Sequence, residues 1–250
     1  MKLAFIIPLF NREQFIEAAI ASLLRQRDSC ELEILVVNDG STDNGPRLVD
    51  ALSREFGCVR MVTTENRGVT KARNTGLQQL VSDCDLVSFL DSDDISPAGR
   101  IATDLAKFER DPALLLTYGR MTLVSEIDGE TLEPTASAKQ ATVRGLSMSA
   151  GMYRTSLLQT IGPFDETFAQ SEDTDYLFRI FERTRNYLLT DTICVYYRRH
   201  SGNMTRDKEV SKRSFMQAIH KMMARRRSDP SLALVSDIFD LKELIENPID

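Results

Sequence analysis

Three carboxylates stand within four residues in the stretch DLVSFLDSDDISP, residues 85–97. Asp91, Asp93 and Asp94 follow an apolar run that predicts a buried strand. Crowded carboxylates repel one another, and a bound cation offsets that repulsion. Oxygen ligands without cysteine are typical of Mg2+ or Mn2+, which proteins usually hold with one or two carboxylates plus substrate phosphates. The stretch therefore predicts a metal site that binds a phosphate-bearing ligand.

Polar residues also follow the three earlier strands that apolar runs predict. In an open parallel sheet, ligands bind in the crevice beyond the carboxyl ends of the strands. We therefore expect these residues to face the same crevice as the three aspartates. The first strand is followed by Pro8, Phe10, Asn11 and Arg12, the second by Asn38, Asp39, Gly40, Ser41 and Asp43, and the third by Glu65, Asn66, Arg67 and Gly68.

Two common phosphate-binding loops are missing from the sequence. The first strand is not followed by G-x-G-x-x-G, which weakens the case for a nicotinamide enzyme, and there is no Walker loop. The remaining interpretation is a nucleoside diphosphate bound through the metal.

The elements that would position these residues alternate regularly in the first half. An Asn11-capped helix, a helix over Val69–Val81 and a helix starting at Pro97 follow predicted strands. This alternation predicts an α/β fold with a parallel sheet covered by helices on both sides. The predicted strands are Leu3–Leu9, Leu32–Val37, Val59–Thr63 and Asp85–Leu90.

The second half is less regular. Residues 127–149 are polar and predict a variable loop or β-ribbon. From Lys208 onward the pattern is helical, and an amphipathic stretch, Leu232–Ile245, is expected to pack as a helix on the domain or to contact a partner. The other predicted elements are strands at Leu114–Tyr118 and Ile193–Tyr197 and helices at Thr155–Ile161 and Glu172–Glu182.

Composition excludes several classes of protein. The net charge of −6 gives no reason to expect nucleic acid as a partner, and the basic cluster KMMARRR (221–227) is interpreted as a solvated helix face. Four cysteines without metal-like spacing favour a reducing compartment, so a cytoplasmic location is expected. No apolar run approaches the roughly 20 residues of a membrane span, and the N-terminus is interpreted as a strand rather than a signal peptide.

Five motifs in order carry a family resemblance: FIIPLFNREQFIEAAIASLLRQ, EILVVNDGSTDNG, ENRGVTKARNTGL, FLDSDD and IGPFDETFAQSEDTDYLFRI. Together they resemble glycosyltransferase family 2, over about residues 3–205. The resemblance implies the GT-A fold, a Rossmann-like, mostly parallel sheet flanked by helices, here with a helical C-terminal tail. It also implies metal-dependent, inverting, non-processive transfer of a sugar from a nucleoside-diphosphate sugar, UDP preferred, to the hydroxyl of an acceptor that the sequence does not identify.

The resemblance also implies a division of the chain. Residues 1–205 would form the GT-A domain, with a nucleotide-sugar-binding half (1–110) and an acceptor-binding half (111–205). Residues 206–250 would form a helical extension through which the chain could form a homo-oligomer.

Donor-binding residues follow from the matching motifs. Pro8, Phe10 and Asp39 would hold the base, although Asp39 could instead shape a turn. The neighbouring strand-exit residues Asn11 and Arg12 would also belong to the nucleotide-sugar site. Asp91 and Ser92 would lie near the ribose or sugar. Arg73 would contact the nucleotide or pair with a crevice acid. Arg199, or Arg198, would neutralise the diphosphate, the alternative being a solvated basic face. Asp43 and Asp94 are interpreted as helix caps.

The remaining roles concern the metal and the base. Asp93 would hold Mn2+ or Mg2+ with His200 as a further ligand, although a lone histidine is usually structural. Asp173 would be the catalytic base, while Glu172 would contribute local hydrogen bonding and helix-end charge; the alternative is ordinary N-terminal helix charging. Rival functions are a nucleotidyltransferase and a non-catalytic sugar-nucleotide-binding module. A processive synthase is disfavoured because its Gln-x-x-Arg-Trp motif is impossible without Trp.

Overall fold

A computed structural model describes residues 1–80, 84–203, 208–235 and 238–241. Its first half contains four parallel strands in the order β3-β2-β1-β4. Three of them are buried almost throughout, which explains why the first, second and fourth strands are apolar on both faces. The strands are β1 (Lys2–Leu9), β2 (Glu31–Asp39), β3 (Val59–Thr64) and β4 (Leu86–Phe89).

A helix follows each of these strands, so the predicted alternation is confirmed. Apolar clusters fill both faces of the sheet. The predicted end of the third helix, Val81, lies outside the described residues. The helices are α1 (Ile16–Leu24), α2 (Gly45–Glu55), α3 (Val69–Gln79) and α4 (Arg100–Arg110).

Two predicted helix starts are wrong. Asn11 does not cap α1: its φ is +49°, and its side-chain oxygen accepts a hydrogen bond from the Thr42 backbone N–H at 2.8 Å. The helix after the aspartates begins at Arg100 rather than at Pro97, because Gly99 precedes it in the left-handed conformation with φ +76°. Both segments are bent at strand exits, where the chain turns toward the crevice.

The second half adds antiparallel strands to the same sheet. β7 runs antiparallel to both β4 and β5, while β8 runs parallel to β5. The region predicted as a loop or β-ribbon does contain a strand, β6, antiparallel to β5. The sheet is therefore mixed, although most of its strands share one direction. These strands are β5 (Leu116–Val124), β6 (Gln140–Val143), β7 (Gly151–Arg154) and β8 (Tyr187–Arg198).

Three further helices complete the described chain: α5 (Thr155–Ile161), α6 (Glu172–Arg183) and α7 (Lys208–Ser228). Arg225 of α7 donates hydrogen bonds to Asp175 and Glu182 of α6, both at 2.7 Å, so α7 is fixed against α6. Within the described ranges, no helix combines the length and the apolar character needed to cross a membrane.

The amphipathic helix predicted at Leu232–Ile245 is wrong over residues 232–235 and 238–241, which are not helical. Ile238 is buried in the core, and Asp240 pairs with Arg144 through two backbone hydrogen bonds of 3.0 Å. The apolar spacing comes from an irregular segment that lies across the domain. Residues 242–245 of that prediction lie outside the described residues.

Candidate active site

The order of the strands determines where polar groups meet. β1 lies between β2 and β4, so the chain moves toward one edge of the sheet from β1 to β3 and then crosses back to β4 on the other side of β1. The carboxyl ends at such a switch point form a crevice that binds ligands in open α/β sheets. Here the crevice is bordered by the residues after β1 and by Asp91–Asp94 after β4. A bridge between Ile95 and Tyr196, with hydrogen bonds of 3.2 and 2.9 Å, brings the end of β8 to the same place.

Asp93 is the point where these three strand exits converge. One of its carboxylate oxygens, Oδ2, lies 2.9 Å from His200 Nε2 and 3.1 Å from Arg12 Nε. His200 Nδ1 accepts a hydrogen bond from the Gly202 backbone N–H at 3.1 Å. A neutral imidazole carries one proton, so in this arrangement Nε2 is the donor to Asp93. One oxygen of Asp93, Oδ2, therefore accepts hydrogen bonds from both the Arg12 guanidinium and His200 Nε2.

Asp94 is not a helix cap, contrary to the sequence interpretation. It is fully buried, and its Oδ1 accepts the backbone N–H of Arg198 at 3.0 Å, which joins the β4 exit to the end of β8. Burial, followed by the charges of Asp93 and Asp91, raises the pKa of Asp94 well above its usual value. Ser92 between these aspartates is also buried.

Arg73 of α3 bridges two acids from different parts of the chain. It donates to Asp91 Oδ1 at 2.7 Å and to Glu172 Oε1, and its guanidinium lies 5.9 Å from the centre of the Phe164 ring. Burial alone would lower the pKa of Arg73, but the charges of Asp91, Glu172 and Asp173 outweigh it and raise the pKa above its usual value. Of the two interpretations of Arg73, pairing with crevice acids is the one observed.

Glu172 and Asp173 open helix α6 but differ in their partners. Glu172 is buried against Arg73, whereas Asp173 is partly exposed and accepts only the backbone N–H of Thr174, at 2.7 Å, as a close partner. Burial and, next, the charge of Glu172 raise the pKa of Asp173 to about 7, although Arg73 acts in the opposite direction. A carboxylate with that pKa can accept a proton near neutral pH.

Asp39 fixes the loop between β3 and α3. Its two oxygens accept the backbone N–H groups of Arg67, at 2.9 Å, and Gly68, at 2.7 Å. The next residue, Gly40, has φ +72°, and a Cβ there would lie 2.7 Å from the Asn66 backbone nitrogen. Asp39 therefore holds the loop over residues 65–68, whereas the turn at Gly40 is closed by Asn38, whose Oδ1 accepts the Ser41 backbone N–H at 2.9 Å.

The residues after β1 form the neighbouring wall. Pro8 is buried in β1 opposite Val37, and Phe10 is 42% exposed beside the crevice. Asn11 holds the β2 exit through its contacts with Ser41 and Thr42. Asp43 accepts the backbone N–H groups of Glu13 at 2.8 Å and of Gly45, the first residue of α2, at 3.0 Å. The N-cap itself is Asn44, so Asp43 supports the helix start from one residue before the predicted cap position.

The β8 exit contributes contacts that the sequence does not indicate. Arg198 donates to the Asp93 backbone oxygen at 3.1 Å and lies 5.1 Å from the centre of the Phe15 ring, whose other neighbour is His200 at 4.6 Å. Burial lowers the pKa of Arg198. Arg199 donates its backbone N–H to Val124, and its side chain has no hydrogen-bond partner in the described part of the chain. The sequence indicates only a core position for Phe15, since aromatic spacing in a helix does not distinguish the two roles.

Related proteins match this chain in sequence and in structure. A stretch of 91 residues is 36% identical to the uncharacterized glycosyltransferase EpsJ of Bacillus subtilis. That stretch covers 36% of this chain but only 26% of EpsJ. The MG025 homolog of Mycoplasma pneumoniae, an uncharacterized glycosyltransferase, is 25% identical over the matched residues. That match covers 80% of this chain and 69% of the homolog.

Two solved structures resemble the fold. Staphylococcus aureus TarS in complex with UDP-GlcNAc has a TM-score of 0.71 and 23% identity, covering 90% of this chain and 66% of TarS 1–349. The mannosyltransferase PcManGT of Pyrobaculum calidifontis, in complex with GDP-Man and Mn2+, has a TM-score of 0.65 and 18% identity, covering 89% of this chain and 64% of that one.

These likenesses confirm the GT-A fold. The model of "Glycosyl transferase family 2" matches residues 4–162. Because that match spans well over half of the sequence, the chain belongs to glycosyl transferase family 2.

Proposed function

We propose that this chain is an inverting, non-processive glycosyltransferase that moves a sugar from a nucleoside-diphosphate sugar to an acceptor hydroxyl. The observation that carries the proposal is Asp173, a partly exposed carboxylate with a pKa of about 7 at the crevice. Arg73 ties its neighbour Glu172 to Asp91 on the donor side. TarS and PcManGT hold UDP-GlcNAc and GDP-Man as bound nucleotide sugars, which supports this class of donor.

A UDP-sugar is the proposed donor. Its base would lie between the β1 exit and Asp39, where Phe10 offers an exposed aromatic face. Asp39 Oδ1 already accepts from Arg67 and from the Thr64 hydroxyl, but Oδ2 accepts only the Gly68 N–H and can take a second hydrogen bond. The diphosphate would extend toward the β4 and β8 exits, within reach of Arg12 and Arg199. Residues 1–110 would thus bind the donor and residues 111–205 the acceptor.

The residues around Asp93 fit a divalent cation. Carboxylate oxygens suit Mn2+ or Mg2+, and an imidazole nitrogen beside them makes the softer Mn2+ the better fit of the two. In the described part of the chain, no group of three or more His, Cys, Asp or Glu side chains converges, so the protein supplies only part of a coordination shell. That suits a cation held by one or two side chains plus substrate phosphates. Asp93 and His200 would hold it, with the imidazole in the tautomer that carries its proton on Nδ1 and leaves Nε2 free for the cation.

The proposed chemistry needs one proton acceptor and one stabilised leaving group. The bound cation would supply positive charge to the departing nucleoside diphosphate. Asp173 accepts the proton of the acceptor hydroxyl while that oxygen bonds to the anomeric carbon from the opposite face. The bond from that carbon to the diphosphate oxygen breaks, and its electron pair leaves with the diphosphate. Arg73 pairs with Glu172, and the pKa of the base, Asp173, is raised by burial and, next, by the charge of Glu172.

The proposal includes a cytoplasmic location. All four cysteines are unpaired in the structure, and free thiols persist in reducing compartments.

Measuring sugar transfer by the Asp173→Asn variant tests directly whether the chain is an enzyme with Asp173 as its base. Positioned bases typically contribute about 100- to 10,000-fold, so we expect transfer to fall by at least the lower factor while UDP binding persists. Glu172→Gln should cost less. Wild-type transfer by Asp173→Asn would refute the assignment. Donor binding by the wild type without transfer to any acceptor in a panel would favour a binding module, and release of pyrophosphate a nucleotidyltransferase.

Metal binding is tested by thermal shift with UDP and Mn2+. A ligand at a hundred times its dissociation constant stabilises by about 2.7 kcal/mol, or about 5–10 °C in Tm for a chain of this size. Asp93→Ala should abolish the part of the shift that depends on Mn2+, and His200→Ala should weaken it. Equal shifts in wild type and Asp93→Ala would contradict the metal site.

A further inference from the structure

Helix α7 concentrates positive charge in an acidic chain. Seven of the 31 Lys and Arg residues lie in Lys208–Ser228, together with only one of the 37 acids. The helix therefore carries a formal charge of +6 within a chain of net charge −6. Such segregation of charge indicates an anionic partner rather than ordinary solvation.

The cations of α7 divide into two groups. Lys221 pairs with Asp165, and Arg225 with Asp175 and Glu182, so these two fix the helix to the domain. Lys212, Arg213 and Arg227 are exposed and form no ion pair with any described residue. Their charge is available to a partner.

Apolar side chains lie among the free cations. Met216 and Met223 are 45% and 44% exposed, and Phe215, at one edge, is 37% exposed. Helical spacing places Lys212, Arg213, Met216, His220, Met223 and Arg227 on one side, which we call the outer face of α7. From Lys212 to Arg227 this face extends about 22 Å. An exposed basic face can adsorb to an anionic surface through its charge, and the methionine and aromatic side chains that lie among its cations can then enter the headgroup region.

We propose that the outer face of α7 docks on an anionic phospholipid surface. Two copies of this face would oppose like charges, so a bilayer is favoured over the homo-oligomer that the C-terminal pattern suggested. The cytoplasmic leaflet is negatively charged, and its field attracts exposed lysine and arginine side chains. The methionines and Phe215 would enter the headgroup region.

The start of α7 lies near the crevice. Ser211, in the first turns of α7, donates to Gln170 at 2.7 Å, and Gln170 lies two residues before Glu172. The helix thus begins beside the acid pair that opens α6. Docking through the outer face would therefore hold the domain at the bilayer, with the start of α6 packed against the other side of the docked helix. Docking itself does not depend on the proposed function, because the surface binds whether or not the chain transfers sugar.

Vesicle co-sedimentation of the full chain tests the proposal. We expect binding to equimolar phosphatidylcholine and phosphatidylglycerol, weak binding to phosphatidylcholine alone, and release by high salt. The variant Lys212→Gln/Arg213→Gln/Arg227→Gln should bind roughly 100-fold more weakly, since each cation near the surface contributes about fivefold. The matched control Arg54→Gln/Arg110→Gln/Lys139→Gln removes the same charges from exposed positions elsewhere and should bind like the wild type.

The apolar part is tested separately. Met216→Gln/Met223→Gln keeps every charge and should weaken vesicle binding about tenfold. Equal binding of the two triple variants, or equal binding to neutral vesicles, would overturn the proposal. So would light scattering that shows a dimer dissociated by the α7 triple variant, or tighter binding to duplex RNA than to vesicles of equal phosphate concentration.

Discussion

Glu172 and Asp173 are adjacent in sequence but differ in whether a cation pairs with the carboxylate. Glu172 is buried but paired with Arg73, so its charge is compensated. Asp173 has no cationic hydrogen-bond partner among the described residues, and burial and, next, the charge of Glu172 oppose its ionisation and raise its pKa. The sequence SEDTDY indicates both acids at a helix start. It cannot indicate which one is compensated, because Arg73 lies 99 residues away along the chain.

Asp173→Asn should therefore stabilise the protein at high pH. A carboxyl whose pKa is raised to about 7 in the folded state destabilises that state progressively as pH rises from about 4 to 7. Asparagine keeps the acceptor for Thr174 and never ionises. After allowance for partial exposure, we expect a gain of about 1–2 kcal/mol at pH 8, or a few degrees in Tm, that shrinks toward pH 4.5.

Thermal unfolding at both pH values measures this effect. The matched variant Glu172→Gln should have the opposite sign at pH 8, because it leaves a buried arginine with one partner fewer. An Asp173→Asn gain that does not change with pH would show that Asp173 is already ionised at low pH.

At the scale of elements, the sequence is most informative where a pattern repeats. It predicts the parallel strands and their helices within a few residues, since buried strands appear as apolar runs bounded by turns. It does not predict the antiparallel β7, which has four residues, begins with Gly151 and pairs with strands far away in sequence. The sequence favours a helix cap for Asp94 because a helix start is nearby, whereas the observed partner, Arg198, is 104 residues distant.

The loop held by Asp39 leads to a prediction about Gly40. Alanine there must adopt φ +72° and place its Cβ 2.7 Å from a backbone nitrogen. We expect Gly40→Ala to lower the free energy of unfolding by about 1–3 kcal/mol and to weaken UDP binding, because the loop over residues 65–68 must shift.

Urea unfolding and titration with UDP check this expectation. Gly57→Ala is the matched control, since a Cβ at Gly57 would meet no atom within 4 Å and the backbone there does not have the positive φ of Gly40. It should change stability by less than about 0.5 kcal/mol. Similar results for the two variants would mean that the loop adapts without cost.

At the scale of the whole molecule, both halves of the chain contribute strands to one mixed sheet, and the two halves meet at the crevice. β4 pairs with β7 across the boundary, and Arg73 joins Asp91 in the first half to Glu172 in the second. The sequence predicts the members of this cluster from their strand exits and helix start. It does not predict the triad of Asp91, Arg73 and Glu172. Which cation compensates which acid depends on packing between distant segments.

Arg73→Met should destabilise the entire domain. It leaves Glu172 buried without its cation, and breaking a buried pair in this way typically costs about 3–5 kcal/mol. The double variant Arg73→Met/Glu172→Leu removes both charges and should be more stable than Arg73→Met alone, because an apolar pair of similar volume carries no desolvation penalty. Asp91 is 29% exposed and can be solvated in both variants.

Urea unfolding followed by circular dichroism should show one transition with an unchanged slope in each variant, since the triad connects both halves of a single cooperative unit. If the double variant is no more stable than Arg73→Met, the cost comes from lost packing around the guanidinium rather than from the uncompensated Glu172. If instead Arg73→Met unfolds in two separate transitions, the halves are held together by the triad more than by the shared sheet.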